Sequence, residues 1–333
     1  MKLPNILYKI SVFFEITKAY KALEYPVRID LGLTNFCNSN CSFCVNDKIN
    51  KKRGFMSESF FQSIIDCVEK KFYSKTVVGL ELFDESLLHP KFVDFLEYAS
   101  NHNVKMSMAS NFISLSEEIT KAILNSKINL MEISLYTLNK DRYSKIMGQD
   151  KYNLVLKNIH MFLSMAKDNN FKGKIRLRPM EDFSEETDAY KKEFYDQYRN
   201  LNFELKIPKK KRNWAGCLDL KWSMKEIYMR VPCSIPFRRM SVDWDGEVKI
   251  CHQAMLSKDL NIGYIDENYT PFDLWNGREI KKIRKKFLKL DYSLFPSCRK
   301  CYDSRKYLSF SNFFKIFKPS RIFSYIKILI GNN

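Results

Sequence analysis

The chain has 333 residues, 45% apolar and 14% aromatic, enough to bury a large core and too apolar for a disordered polypeptide. Its 56 Lys and Arg against 38 Asp and Glu leave a formal charge of +18, which suits nucleic acid, phosphorylated substrates and lipid headgroups alike. No run of 18 apolar residues exists, and the N-terminal apolar stretch is broken by Lys9, Glu15 and Lys18, so neither a spanning helix nor a secretory signal is expected. Nine cysteines, an odd number, fit a reducing cytoplasm, where clustered cysteines bind metal more often than they pair.

Residues 1–26 read as an N-terminal amphipathic helical segment, with Ile6, Ile10, Phe13 and Phe14 on one face. It is too short for a separate peptide-recognition domain. Residues 27–210 alternate strands and helices. The strands are expected at Val27–Thr34, Val77–Phe83, Val104–Ser110, Ile128–Tyr136, Lys174–Pro179 and Phe203–Ile207. Between them Phe61, Ile64, Ile65, Val68 and Phe72 stripe one helix. Phe92, Phe95, Leu96 and Ala99 stripe a second that Pro90 should open, Ser114 and Glu117 form a capping box for a third, and Val155, Ile159, Phe162 and Ala166 stripe a fourth. Six such units predict an α/β fold, a parallel sheet with right-handed crossovers that is either open or rolled into a partial (β/α)6 TIM-type barrel.

Period-2 alternation sends Ile29, Leu31, Leu33, Val78, Leu80, Met131, Ile133, Ile175 and Leu177 to the helix-covered face. It sends Asp30, Thr34, Glu81, Glu132, Ser134, Tyr136, Arg176, Arg178, Glu204 and Lys206 to the other. Four carboxylates and three cations on one face need partners, which argues for a lumen that holds a charged small molecule. An open sheet with this face near solvent is the alternative.

Directly after the first strand comes Cys37-Asn-Ser-Asn-Cys41-Ser-Phe-Cys44. Three thiolates at this spacing can hold three irons of a [4Fe–4S] cluster and leave the fourth iron open to a small molecule. A zinc site would need a fourth ligand from elsewhere and more often pairs two Cys-x-x-Cys knuckles. Past the basic run Lys209–Arg212, residues 211–303 form a second unit. Met240–Trp244, Asp245-Gly246 and Glu247–Cys251 make a hairpin, and a long basic helix should run from Thr270-Pro271 towards Leu290. Cys233, Cys251, Cys298 and Cys301 converge there on one closed site, for Zn²⁺ or for a fully ligated [4Fe–4S] cluster. His252, beside Cys251, is a candidate proton acceptor. Cys67, Cys217, His89, His102 and His160 read as structural. Residues 304–333 form a tail with six basic residues, no acidic one and many apolar ones. Such a tail either packs on the barrel or contacts an anionic membrane peripherally.

The triad in this position resembles that of the radical S-adenosylmethionine (radical SAM) superfamily. Phe83-Asp84-Glu85-Ser86-Leu87-Leu88-His89-Pro90 is similar to the family's Gly-Gly-Glu-Pro-Leu-x-His-Pro loop, Ser110-Asn111-Phe112 to its Thr-Asn-Gly, and Ile133-Ser134-Leu135-Tyr136 to its Ile-Ser-Leu-Asp. The second unit resembles the SPASM/twitch region: Asp245-Gly246-Glu247-Val248-Lys249-Ile250-Cys251, Asn261-Ile262-Gly263, Leu274-Trp275-Asn276 and Cys298-Arg-Lys-Cys301. The resemblance implies a SAM-bound [4Fe–4S] cluster on Cys37, Cys41 and Cys44 and one auxiliary [4Fe–4S] cluster on Cys233, Cys251, Cys298 and Cys301. It implies S-adenosylmethionine contacts from Phe43, Glu85, Ser110, Asn111, Ser134 and Arg178, and a reductant such as flavodoxin or ferredoxin. The expected activity is reductive cleavage of S-adenosylmethionine to a 5′-deoxyadenosyl radical that abstracts a substrate hydrogen. The substrate, whether carbohydrate, nucleotide-linked or peptide, stays open. A zinc-dependent nucleic-acid-binding protein is the rival from another class.

Overall fold

The computed structural model describes residues 24–49, 51–72, 75–179, 187–206, 228–230, 233–266, 268–301 and 305–307. Cys217, the Lys209–Arg212 run, residues 1–23 and the tail from 308 onward lie outside the described residues.

The first half runs β1 (Arg28–Leu31), α1 (Glu58–Lys70), β2 (Val77–Leu80), α2 (Phe92–Asn101), β3 (Met106–Ser110), α3 (Glu117–Asn125), β4 (Ile128–Ile133), α4 (Lys140–Met147), α5 (Tyr152–Asp168) and β5 (Lys174–Leu177). Then come α6 (Thr187–Tyr190), a π turn at Lys191–Tyr195, α7 (Asp196–Tyr198) and β6 (Phe203–Leu205). The second half contains β7 (Tyr228–Arg230), β8 (Arg239–Val242), β9 (Glu247–Lys249), β10 (Asn261–Tyr264), α8 (Pro271–Asn276), α9 (Arg278–Leu288), α10 (Pro296–Lys300) and β11 (Arg305–Tyr307).

One nine-stranded sheet, in the order β10-β9-β8-β1-β2-β3-β4-β5-β6, spans both halves. Strands β1 to β6 are all parallel and follow chain order, as the alternating pattern predicts. The hairpin does not form a layer of its own. Its first strand, β8, pairs parallel to β1, with Asp30 opposite Ser241, and so adds a seventh parallel strand to the barrel wall. β9 and β10 continue the wall antiparallel. The start of the tail pairs as β11 with β7 in a separate two-stranded sheet. No helix among the described residues is long and apolar enough to cross a membrane.

The outward residues are buried as the alternation requires. Ile29, Leu31, Val78, Leu80, Met131, Ile133, Ile175, Leu177, Met240 and Val242 are all fully buried under the helices, each contributing about 1.5–3 kcal/mol. The α1 and α2 stripes meet in a Phe61–Phe95 stack at 4.2 Å.

Several helix ends differ from the sequence pattern. Lys91 caps α2, so Pro90 lies one residue before the cap, where the His89 ring accepts the Lys91 N–H at 3.1 Å. Ser116 caps α3 by accepting from Ile119 N; Ser114 instead accepts from Asn38. The long basic helix is two: α8, opened by a Thr270–Asp273 capping box, stops at Gly277, whose extended backbone (ψ 171°) breaks the helix before α9. Helix α4, short and half polar, carries too weak a stripe to be read from sequence.

On the inner face Gly79 lies opposite Asp30, and a Cβ there would fall inside the Arg28 guanidinium. That guanidinium is held by Asp30, Glu81 and Ser107 and cannot swing aside freely. Gly79→Ala is therefore expected to cost about 1–3 kcal/mol in urea unfolding; a cost within error would show that Arg28 is not pinned.

Candidate active site

All the inward polar residues singled out above stand at or near the carboxyl ends of parallel strands, where α/β folds build their sites. The triad occupies the loop from β1 to α1, and that loop is fastened along its length. Thr34 Oγ1 donates to Gly54 O at 2.6 Å, and Asn35 bonds Lys52 O at 2.9 Å and Gly54 N at 3.0 Å. Arg53 donates to Asn35 O and to both oxygens of Asn46. The C-terminal end of α4 closes on the same loop: Asn40 N and Ser39 Oγ donate to Met147 O, and Ser42 N donates to Ile146 O. Gly148 makes this approach feasible. Its φ is +71°, and a Cβ would fall on the Asn40 carbonyl.

Each thiol of the triad is half-buried and pushed up. Burial raises Cys37 well above the usual range, with the neighbouring Glu85 carboxylate adding to it, and raises Cys41 to about 11. Thiols in this state give up protons to a metal that binds them.

Glu85 is buried beside them. Its carboxylate accepts from Ser110 Oγ at 2.7 Å, Asn111 N at 2.8 Å and Leu87 N at 3.3 Å. Burial nevertheless lifts it to about 7, against those bonds. Asn111 donates to Asn38 at 2.8 Å, linking β3's end to the triad loop. Phe43, between the last two cysteines, packs edge-on against Tyr136 at 4.9 Å. Ser134 hydrogen-bonds Tyr136 and its amide donates to Ser110 O. Arg178 reaches Glu132 at 3.1 Å. Thus the structure brings Phe43, Glu85, Ser110, Asn111, Ser134 and Arg178 to the carboxyl ends of the strands, around the triad.

Below the loops the inner face is a chain of ion pairs. Arg28 holds Asp30 and Glu81, the latter at 2.5 Å; Arg176 bridges Glu132 at 2.5 Å and Glu204 at 2.9 Å. Of these groups Arg28 escaped the sequence reading, although it stands two residues before Asp30 and so on the same face.

In the second half, Cys233, Cys251, Cys298 and Cys301 line one apolar recess with Ile235, Ile250, Leu260 and Phe287. Burial first, then the other three sulfurs, drives Cys298 far up. His252 follows Cys251 and faces the lumen, with Nδ1 4.0 Å from Asp30 Oδ2.

Lys51, also unforeseen, joins the two halves. Its ammonium lies 2.8 Å from Asp243, 2.7 Å from Asp245 and 3.1 Å from Glu247, all on the hairpin. Burial opposes its charge, but these carboxylates outweigh it and hold Lys51 protonated. Cys67 is buried in the α1 stripe. His89, His102 and His160 each bond neighbouring backbone or side chains at about 2.9–3.0 Å, as structural histidines do.

Two family models match this architecture: the radical SAM superfamily over residues 31–185 and an iron–sulfur cluster-binding (SPASM) domain over residues 233–302. Residues 31–185 belong to the radical SAM superfamily and residues 233–302 to the SPASM domain family. A radical SAM domain and a SPASM domain in one chain imply a SAM-bound [4Fe–4S] cluster and an auxiliary iron–sulfur cluster. The chain is similar to mycofactocin maturase MftC of Mycobacterium ulcerans, 27% identical over 115 residues that cover 34% of this chain and 30% of the maturase. The stretches shared with curated relatives span only 30–41% of those proteins. BtrN in complex with AdoMet and 2-DOIA superposes with a TM-score of 0.58 at 14% identity, covering 83% of this chain and 92% of BtrN. anSMEcpe with bound AdoMet and Cp18Cys peptide superposes at 0.56 with 14% identity, covering 92% of this chain and 100% of that one. At such identities the likeness to the solved structures is one of fold.

A pH dependence follows from Glu85. Its folded-state value of about 7 lies above the ordinary carboxylate value of about 4, so the folded protein keeps a proton that the unfolded chain releases. Its contribution is fully present below pH ~4 and is lost as pH rises to ~7. The urea midpoint should fall across that window. Glu85→Gln, which can still accept from Asn111 N, should flatten the fall; an unaltered slope would place its origin elsewhere.

Proposed function

We propose that the chain reductively cleaves S-adenosylmethionine and uses the resulting 5′-deoxyadenosyl radical to abstract a hydrogen from a substrate in the barrel lumen. The observation that carries this reading is the convergence of Cys37, Cys41 and Cys44 with the buried Glu85, Ser110 and Asn111 at the carboxyl end of the sheet. Cys37, Cys41 and Cys44 would hold a [4Fe–4S] cluster, which would supply the electron that splits the bound cofactor.

The chain's own residues bind and orient. Glu85 meets the cofactor's ammonium, a cation that keeps the carboxylate ionised in its buried place. Arg178, freed from part of its pairing with Glu132, meets the cofactor's carboxylate. The Ser134 hydroxyl serves the ribose, and Phe43 with Tyr136 walls the cofactor side of the lumen. The covered sheet and the fastened triad loop exclude water from the radical and fix the direction of attack. Cys233, Cys251, Cys298 and Cys301 place an auxiliary [4Fe–4S] cluster at the wall, for electron uptake or substrate binding. His252, beside Asp30, takes the proton that leaves with net oxidation.

BtrN is seen with 2-DOIA and anSMEcpe with a peptide. The substrate here is read as a carbohydrate, nucleotide-linked or peptide group able to enter the lumen, and the compartment as the cytoplasm.

After anaerobic reconstitution the protein should hold about eight irons, and a Cys298→Ala/Cys301→Ala variant about half of that. Cys37→Ala, Cys41→Ala and Cys44→Ala should each abolish 5′-deoxyadenosine formation. Cofactor cleavage surviving in any of the three, or zinc without iron in the wild type, would defeat the assignment.

A further inference from the structure

Resting on the reading above, an electron must reach the triad from outside the protein, so the surface over the triad loop has work to do. That surface carries an exposed aromatic pair. Phe36, next to Cys37, and Phe55, at the far end of the loop, are 37% and 42% exposed, with ring centroids 5.0 Å apart. Among the described residues seven large apolar side chains are this exposed, and these two alone belong to the triad loop. An exposed, mutually contacting aromatic pair is the kind of surface that partners bury.

The fold holds the pair together on purpose-built backbone. Thr34 and Phe55 form an antiparallel bridge, and Phe55 rests edge-on against the buried His89. The same contacts bring Lys52 beside Asn35. Of the cations in residues 46–53, Lys51 and Arg53 turn inward, onto the hairpin carboxylates and onto Asn35 and Asn46. Lys48 and Lys52 stay exposed, against a single exposed acid, Asp47.

We propose that Phe36 and Phe55, flanked by Lys48 and Lys52, are the docking surface for a small acidic one-electron carrier of the flavodoxin type. The lysines steer an acidic partner, and the rings exclude water where its redox group must come near Cys37. The transfer makes and breaks no bond: the reduced flavin loses one electron, and the cluster held by Cys37, Cys41 and Cys44 gains it.

The test compares two reductants on the full-length, reconstituted protein. Dithionite needs no docking; reduced flavodoxin does. Phe36→Ser/Phe55→Ser and Lys48→Glu/Lys52→Glu should each lose tenfold or more of the flavodoxin-driven rate of 5′-deoxyadenosine formation and keep the dithionite-driven rate. Added salt should slow the wild type with flavodoxin and affect the lysine variant less. A flavodoxin-driven rate unchanged in both variants overturns the proposal, and so does an equal loss with both reductants. Absence of dithionite-driven product in the wild type would instead defeat the radical SAM reading itself. A photo-crosslinking residue at position 36 should capture flavodoxin; crosslinks confined to residues 1–23 or 308–333 of the chain, or to a second copy, overturn the proposal by naming another occupant.

Discussion

A parallel sheet covered by helices on its outside has an inner face partly shielded from bulk water, and here that face carries charge on most strands, with Arg28, Asp30, Glu132 and Arg176 the most enclosed. Breaking one partner out of such a pair costs about 3–5 kcal/mol, because the other is left buried and alone. The arrangement answers this with shared ions. Arg28 serves Asp30, Glu81 and Ser107, and Glu132 serves both Arg176 and Arg178. Gly79 is small because the Arg28 guanidinium occupies the space a side chain would take. The lumen is thereby a rigid polar wall, suited to holding a charged cofactor at one fixed place.

The same constraint joins the two halves of the chain. β8 extends the wall from β1, so the strand that leads into the triad also borders the hairpin that carries Cys251 and His252. Arg239 of β8 reaches Asp30 of β1 at 3.7 Å, and Lys51 of the triad loop is received by three hairpin carboxylates. Those carboxylates could take a metal ion by their spacing, but the Lys51 ammonium fills the place between them. The loop of the first cysteine set and the hairpin that carries Cys251 therefore stand on one sheet.

Departures from the family's motifs have local physical answers. Phe112 stands where the family has glycine, yet its backbone is left-handed, φ 60°, a conformation costly for an aromatic residue. Its ring is fully buried against Phe162 at 5.3 Å, and its carbonyl accepts from Asn158 at 2.8 Å, which offsets that cost. Tyr136 replaces an acid and packs on Phe43 between the last two cysteines of the triad; burial pushes its hydroxyl up to about 12 although Arg178 works the other way. Asp84, in place of the second glycine, accepts from Leu82 N and Ser86 Oγ, so its side chain shapes the turn that glycine's freedom would otherwise allow.

Much of this was legible in the chain alone. Period-2 alternation on β1, β2, β4, β5 and β6 indicated which residues face the lumen, since successive side chains of a pleated strand point to opposite faces, and the spacing of Cys37, Cys41 and Cys44 grouped those three in one loop. Helix ends were legible less well: Ser114 and Ser116 are equally good caps by type, and only the packing of Asn38 on Ser114 decides between them. What the tertiary structure alone decided is every relation between segments distant in sequence. Arg28 with Ser107, Lys51 with Asp243 and Asp245, Asn40 with Gly148, and β8 with β1 are separated by about 80 to 210 residues or by loops with no pattern of their own. A residue's type and period fix the face on which it lies, but its partner across the lumen is set by strand order and register, which no local pattern encodes.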